Sequence, residues 1–398
     1  MKLGLIGVCL AWVASGAFAD VHPPRPVAAA AAGMGVMVTG PLEVVFDWSA
    51  DRCERYNIPD LPARAFRDDA GQVNLIISHN TTYRMTGPDF DTLAMDCAPV
   101  MQSTYDSDPA QYAHYEWLAA VYAVGGGVVH GLVHNEHHGN ELVSAQCPSA
   151  RYDRCWYNTV TAVRSDDGGA QFTHLRAAPA HRVAGIEKPY VPDAGIFGAF
   201  SPSNIIARDG YYYAFIKLQT YPLGFQHVCL MRTDDLGDPT AWRFWDRLGF
   251  EGVFVDPYRS DDARALGASV CPAVALDQIA EMYEGISWNT ALQKYVLVGT
   301  SNDPARDPNV YGFYVAFSDD LVTWTRRTPV VEARLPWRTD DPTAPVYLYP
   351  TLIDHDSPSR NFETTGATAY LYFTRLNEGP TGLDRDLVRF PVAFQAGD

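Results

Sequence analysis

The sequence predicts an all-β protein, a five-bladed β-propeller. Three observations carry that expectation. From Leu42 onward, short apolar or aromatic runs alternate with Gly, Asp, Asn and Pro clusters. Long segments with the apolar period of a helix are nearly absent; only 109–120 and 276–282 offer a helical turn or two. A strand–turn–strand unit also recurs five times along the chain.

Taken in order, residues 1–19 read as a secretory signal. Lys2 supplies the positive start, 3–13 is a short apolar run, and Ala17-Phe18-Ala19 has the small-x-small form of a cleavage site. That run is too short to span a bilayer, and no later run is long enough. The expected product is therefore secreted or periplasmic, without membrane insertion. Residues 20–41, rich in Pro and Ala, read as a leader. Residues 42–398 form the propeller domain.

The five hairpins are 63–71 into 73–77, 117–124 into 128–133, 204–210 into 211–215, 285–289 into 294–298, and 351–353 into 369–373. A second signature follows three of them: Ser165-Asp166-Asp167, Thr233-Asp234-Asp235 and Ser318-Asp319-Asp320. Short polar side chains of this kind cap turn backbone.

Six cysteines lie beyond the signal: Cys53, Cys97, Cys147, Cys155, Cys229 and Cys271. An even number in an exported chain indicates disulfides. Neighbour pairing (53–97, 147–155, 229–271) is the expectation, although spacing alone allows other pairings. No C-x-x-C pair points to zinc. A net charge of −17 makes nucleic acid and anionic membranes poor partners. Oligomeric state is left open.

Ser318 to Trp324 (S-D-D-L-V-T-W) resembles the outer-strand motif of the five-bladed glycosidases of families 43, 32 and 68. Tyr283-Glu284-Gly285 is similar to the Glu-Gly-Pro segment that carries their general acid, with Ile286 in place of the Pro. Asp60-Leu61-Pro62 is similar to the Asp-Pro segment that carries their base or nucleophile, with Leu61 inserted. The invertase-type W-M-N-D-P-N-G is missing. Asp193 is the candidate for the family's middle Asp. The resemblance implies a glycosidase with Asp60 as base or nucleophile and Glu284 as acid.

The residues themselves point to a polar funnel, because the inner strand of each blade lines the centre of a propeller. Asp60, Arg64, Glu116, Ser203, Asn204, Glu284 and Tyr349 stand near inner-strand openings. Glycoside hydrolysis needs two carboxyls across the scissile bond. The densest polar cluster is 134–141, placed at a strand end or loop after 128–133. A period of two puts His134, Glu136 and His138 on one face. They read as sugar-binding and proton-shuttling groups, with a metal site as a second reading, and Glu136 rivals Glu284 as the acid. Ser78-His79-Asn80 ends its hairpin as His134-Asn135 does, which places His79 at the same cavity. Arg64 can pair with Asp60 or bind a substrate carboxylate. Trp117, Tyr283, Trp288 and Tyr349 are candidates to stack on sugar rings. Ser201-Pro202-Ser203 lacks a matched base in the pattern. No cofactor is expected, though a structural divalent ion such as calcium is compatible.

The function expected is a secreted glycoside hydrolase acting on a poly- or oligosaccharide. Two alternatives stand beside it: a polysaccharide lyase with His79 or His134 as base, and a non-catalytic carbohydrate-binding propeller.

Overall fold

Each of the five alternating segment pairs forms an antiparallel hairpin. Arg64–Arg67 pairs with Val73–Ile77, Tyr115–Gly125 with Val128–His138, and Ile206–Arg208 with Tyr211–Gln219. Gly285–Asn289 pairs with Lys294–Asp303 and Val346–Ile353 with Thr368–Leu376. This is a computed structural model, and it describes residues 23–27, 33–304, 307–339 and 341–397. The expected signal, 1–19, lies outside the described residues.

The strands assemble into four hydrogen-bonded sheets. The first runs in chain order through Arg64–Arg67, Val73–Ile77, Thr81–Gly87 and Ala94–Gln102. The largest consists of two antiparallel runs. One is Tyr115–Gly125, Val128–His138 and Cys155–Ser165; the other is Gly195–Pro202, Tyr211–Gln219, Gln226–Thr233 and Arg243–Phe244. They are joined where Cys155 to Asn158 lies parallel to Gly195 to Gly198. A Cβ at Gly198, where φ is +117°, would meet the Asn158 carbonyl oxygen at 2.2 Å, so only glycine allows that close approach. The third sheet contains Gly285–Asn289, Lys294–Asp303, Asp307–Ser318 and Thr328–Glu332.

The last sheet, Val346–Ile353, Thr368–Leu376 and Arg385–Gln395, takes its outer strand from the other end of the chain. Gly35–Val38 pairs antiparallel with Arg385–Gln395, and Glu43–Phe46 joins the same strand. This corrects the boundary drawn at residue 41. The alternation in Gly-Val-Met-Val is masked in sequence by the flanking Ala and Gly, yet Val36 is buried in this sheet's core.

The Ser/Thr-Asp-Asp turns are capped as their chemistry predicts. Ser165 Oγ accepts from the Gly169 N–H at 2.9 Å, Thr233 Oγ1 from Asp235 at 3.0 Å and Ser318 Oγ from Leu321 at 2.9 Å. The second Asp of each closes the next residues: Asp167 accepts from Gln171, Asp235 from Gly237 and Asp320 from Thr323. Helix is confined to short pieces. In 109–120 only Pro109–Gln111 is helical, and Leu276–Ile279 forms one turn. No helix among the described residues is long and apolar enough to cross a membrane. The three disulfides are Cys53–Cys97, Cys147–Cys155 and Cys229–Cys271.

One buried cation ties the runs together. Arg64 Nε donates to the Ala119 carbonyl at 2.8 Å. Nη1 reaches Ala63 O and Thr351 Oγ1, each at 3.3 Å. Nη2 reaches Glu284 O at 2.7 Å and Pro202 O at 3.5 Å. A guanidinium has five N–H donors, and all five are taken by acceptors within its own run and at or beside the first strands of the other four. Arg64 therefore has no donor to offer a substrate, which corrects its reading as a substrate-binding residue. Burial lowers its pKa, against the opposing pull of Tyr283 and Glu284.

Candidate active site

Beside this hub is a cavity of about 110 Å³ lined by Asp60, Leu61, Trp117, His134, Glu136, Trp156, Phe200, Ser201, Tyr283 and Tyr349. Asp60 leads into the first inner strand and is anchored by its N–H on the Ser78 carbonyl at 2.9 Å. Its Oδ1 is ion-paired with Arg385 and accepts from the Tyr349 hydroxyl at 3.3 Å. His79 Nε2 stands 3.8 Å from its Oδ2. Burial lowers the His79 pKa, against the pull of Asp60, so this ring is neutral at neutral pH. Tyr349 sits at φ +60° where the ladder slips between Leu348 and Thr351. Such a bulge re-aims a side chain, and here the phenol meets Asp60. Burial, followed by the Asp60 charge, raises its pKa well above the ordinary value.

The opposite wall comes from one strand. His134, Glu136 and His138 are buried and share a face, as a period of two requires. The strand ends at His138 and a short helical turn, Gly139–Glu141, follows, so the cluster spans the end of the strand as expected. His134 Nε2 lies 2.9 Å from Asn158 Oδ1. The Asn158 amide donates to Phe197 O, which fixes its oxygen as acceptor and places the imidazole proton on Nε2. Nδ1 then accepts from Ser201 Oγ at 3.0 Å. Ser201 thus does have a matched base; the partner is 67 residues away and invisible to local pattern.

Glu136 stands between two imidazoles. Its Oε1 is 3.6 Å from His134 Nδ1 and its Oε2 is 2.7 Å from His138 Nε2. His138 Nδ1 is 3.4 Å from Glu141 Oε1, and Glu141 in turn accepts from the Tyr115 hydroxyl at 2.5 Å. Burial lowers the His138 pKa, but the two carboxylates outweigh it and raise the value to about 9. His138 is therefore cationic at neutral pH. Tyr152 stands edge-on to its ring at 5.1 Å.

Other predicted residues stand elsewhere. Glu284 does not line the cavity. Its Oε1 accepts from the Thr300 N–H at 3.0 Å and from the Thr300 hydroxyl, its Oε2 from the Tyr283 N–H at 3.0 Å, and it lies against Gly299. Burial raises its pKa. Asn204 exchanges two 2.8 Å hydrogen bonds with the Ile286 main chain, which fastens two runs and engages both ends of its amide. Trp288 packs on Tyr295, with ring centroids 4.8 Å apart. Asp193 accepts from the Ser149 N–H at 3.1 Å beside the Cys147–Cys155 bridge. Glu116 faces away from its neighbour Trp117, as strand alternation requires, and bonds Thr104 and His174. Arg385 was not anticipated, because nothing local marks it and 325 residues separate it from Asp60.

No protein-family model matches the chain, and no curated protein matches its sequence. Solved structures do. A glycosyl hydrolase from Bacteroides ovatus superposes with a TM-score of 0.50 at 12% identity, over 92% of this chain and 96% of its own. An endo-arabinase from Bacteroides thetaiotaomicron gives 0.47 at 11%, over 89% and 99%. A family 117 glycoside hydrolase from Zobellia galactanivorans gives 0.47 at 12%, over 91% of each chain. At this identity the likeness to the Bacteroides ovatus protein is one of fold.

Proposed function

We propose that this protein is a secreted glycoside hydrolase, built as a five-bladed propeller, that cleaves an oligo- or polysaccharide in the cavity between Asp60 and Glu136. The observation that carries the reading is that these two carboxyls line one aromatic-walled pocket. Hydrolysis of a glycosidic bond requires such a pair, and the apolar faces of sugar rings suit walls of Trp and Phe. The five-blade count rests on the five antiparallel runs and on Arg64, which bonds at the openings of all of them. Export rests on the signal-like 1–19 and on three disulfides, which persist in oxidising compartments.

Asp60, ion-paired with Arg385, acts as base or nucleophile. The proton for the leaving oxygen resides on His138 and passes to it through Glu136, to which His138 is bonded at 2.7 Å. Glu284 supports the wall with its oxygens held by Thr300 and Tyr283. A lyase acting through Arg64 is disfavoured, because that guanidinium has no free donor for a uronate. The test is turnover on a panel of plant and algal polysaccharides and aryl glycosides with wild type, Asp60→Asn, Glu136→Gln and Glu284→Gln. Loss in the first two variants with folding intact is the expected result. Full activity in both removes the assignment, and loss only in Glu284→Gln transfers the acid role to that residue.

A further inference from the structure

A second cluster of ligand-type side chains lies outside the cavity, on the flank between the first two runs. We propose that Glu116, His174 and His181 form a binding site for a divalent transition-metal ion of the zinc class.

One carboxylate oxygen and one nitrogen from each imidazole lie within 4.8 Å of one another. The three residues come from separate segments brought together by strand pairing. Glu116 belongs to Tyr115–Gly125, His174 pairs with Val163, and the His181 carbonyl accepts from the Ala162 N–H. The two rings stack with centroids 4.1 Å apart.

Two features go beyond proximity. His181 is fully buried, its Nε2 lies 3.3 Å from the Tyr112 carbonyl, and its Nδ1 has no partner. A carbonyl can only accept, so the proton sits on Nε2 and Nδ1 is left as a bare lone pair in the interior. A ligating histidine has the same arrangement: one nitrogen donates to a backbone carbonyl and the other faces the metal. Glu116 is prepared in the same way. Its Oε2 accepts from the Thr104 N–H and hydroxyl, each at 2.8 Å, which fixes the carboxylate and leaves Oε1 for His174 Nε2 at 2.5 Å.

Two imidazoles and a carboxylate suit zinc and its neighbours, whereas calcium and magnesium prefer oxygen alone. Bonds of about 2.0–2.1 Å to a tetrahedral ion put ligand atoms roughly 3.3 Å apart. Glu116 Oε1 and His174 Nε2 must therefore separate by somewhat under about 1 Å, on that same geometry. The Nε2 proton of His174 leaves that nitrogen as the ion takes its place, moving to Nδ1 in a neutral ring and to solvent from a cationic one. Glu116 and His174 also line an open hollow with Gln102, Thr104 and Phe172, which gives an ion a route in and leaves room for a water ligand.

The test is equilibrium dialysis of untagged protein against Zn²⁺ alone, with Co²⁺ as a second probe read by its visible absorption. One ion per chain and a tetrahedral cobalt spectrum are expected. His174→Ala and Glu116→Gln should each weaken binding by about 100-fold or more, at the upper end of what disturbing a metal site costs. His174 is partly exposed and a Gln at 116 keeps an acceptor for Thr104, so both variants should fold. His138→Asn, behind Glu136 at the central cavity, should leave the affinity unchanged. No zinc bound by folded wild type overturns the proposal. So does binding that survives both flank variants or is lost with His138→Asn.

Discussion

The Arg64 guanidinium donates to the Glu284 main-chain carbonyl at 2.7 Å across 220 residues of sequence. That bond is one of five from the same side chain, and the acceptors stand at the openings of all the antiparallel runs. Each acceptor carbonyl is interior and would cost free energy if left unpaired. Arg64 thus satisfies polar backbone from four of the five runs at a place where sheet pairing does not reach it.

Arg64→Ala should accordingly be among the most destabilising single changes in the chain. It leaves several buried acceptors unpaired and a void in their midst. A loss on the order of 3–5 kcal/mol is expected, because each buried acceptor left unsatisfied costs about 1–3 kcal/mol. Arg64→Lys should recover part of this, because an ammonium has three donors for five acceptors. Urea unfolding midpoints of the two variants measure both effects; equal midpoints for wild type and Arg64→Ala would exclude the role.

Asp60→Asn and Glu136→Gln should each lower kcat by roughly 10²–10⁴-fold, the range for removal of a positioned acid or base. Melting temperatures should move far less than they do for Arg64→Ala. If Glu136 is supplied with protons by His138, His138→Asn should lower kcat and shift the basic limb of the pH–rate profile. A substitution that merely loosened the wall would lower activity without moving that limb.

The same pair makes stability depend on pH. His138 has a folded-state pKa raised to about 9 from 6.5. A group raised on folding contributes fully below its unfolded value, and the contribution fades as pH rises through the folded one. His138 should therefore stabilise the protein below about pH 6.5, with the benefit lost progressively up to and beyond about pH 9. The full effect is on the order of 3 kcal/mol. The Glu141 pKa is lowered to about 2, chiefly by His138, whose Nδ1 lies 3.4 Å from its Oε1. Its side of the interaction is present above the ordinary carboxylate range and lost as pH falls through about 2. Thermal melts between pH 6 and 10 should fall more steeply for wild type than for His138→Asn; parallel curves would show that the pair contributes nothing.

Local chemistry was readable from the sequence wherever it was written in neighbours. The hairpins follow from alternation and turn residues, and the Ser318 to Thr323 turn closes on hydrogen bonds two or three residues long. His134, Glu136 and His138 share a face because a strand has a period of two. Contacts between distant segments were not readable. Arg385 meets Asp60, and Ser201 meets His134, only because strands far apart in sequence converge. Asn204 and Arg64 look like ligand-binding polar residues in sequence, but they are consumed by main-chain groups of other runs. Glu284 has the sequence surroundings of an acid, yet its oxygens are held by Thr300 and by the Tyr283 N–H beside it.

The size of the central cavity predicts where a chain would be cut. At about 110 Å³ it lies below the roughly 300 Å³ at which pockets for drug-sized ligands begin. Trp117, Trp156 and Phe200 wall it, and Tyr283 and Tyr349 also line it. Under the proposed hydrolase reading, a space of this size predicts that one sugar residue is seated between the carboxyls and that the scissile bond lies next to a chain terminus. The expected products are monosaccharides from the first turnover, with the substrate shortening one residue at a time. Chromatography of early time points on a defined oligosaccharide reads this directly, and a ladder of intermediate lengths would contradict it. Phe200→Ala enlarges the pocket and leaves Asp60 and Glu136 unaltered. It should raise KM for the preferred substrate more than it lowers kcat, because stacking area is lost while the carboxyl pair stays in place.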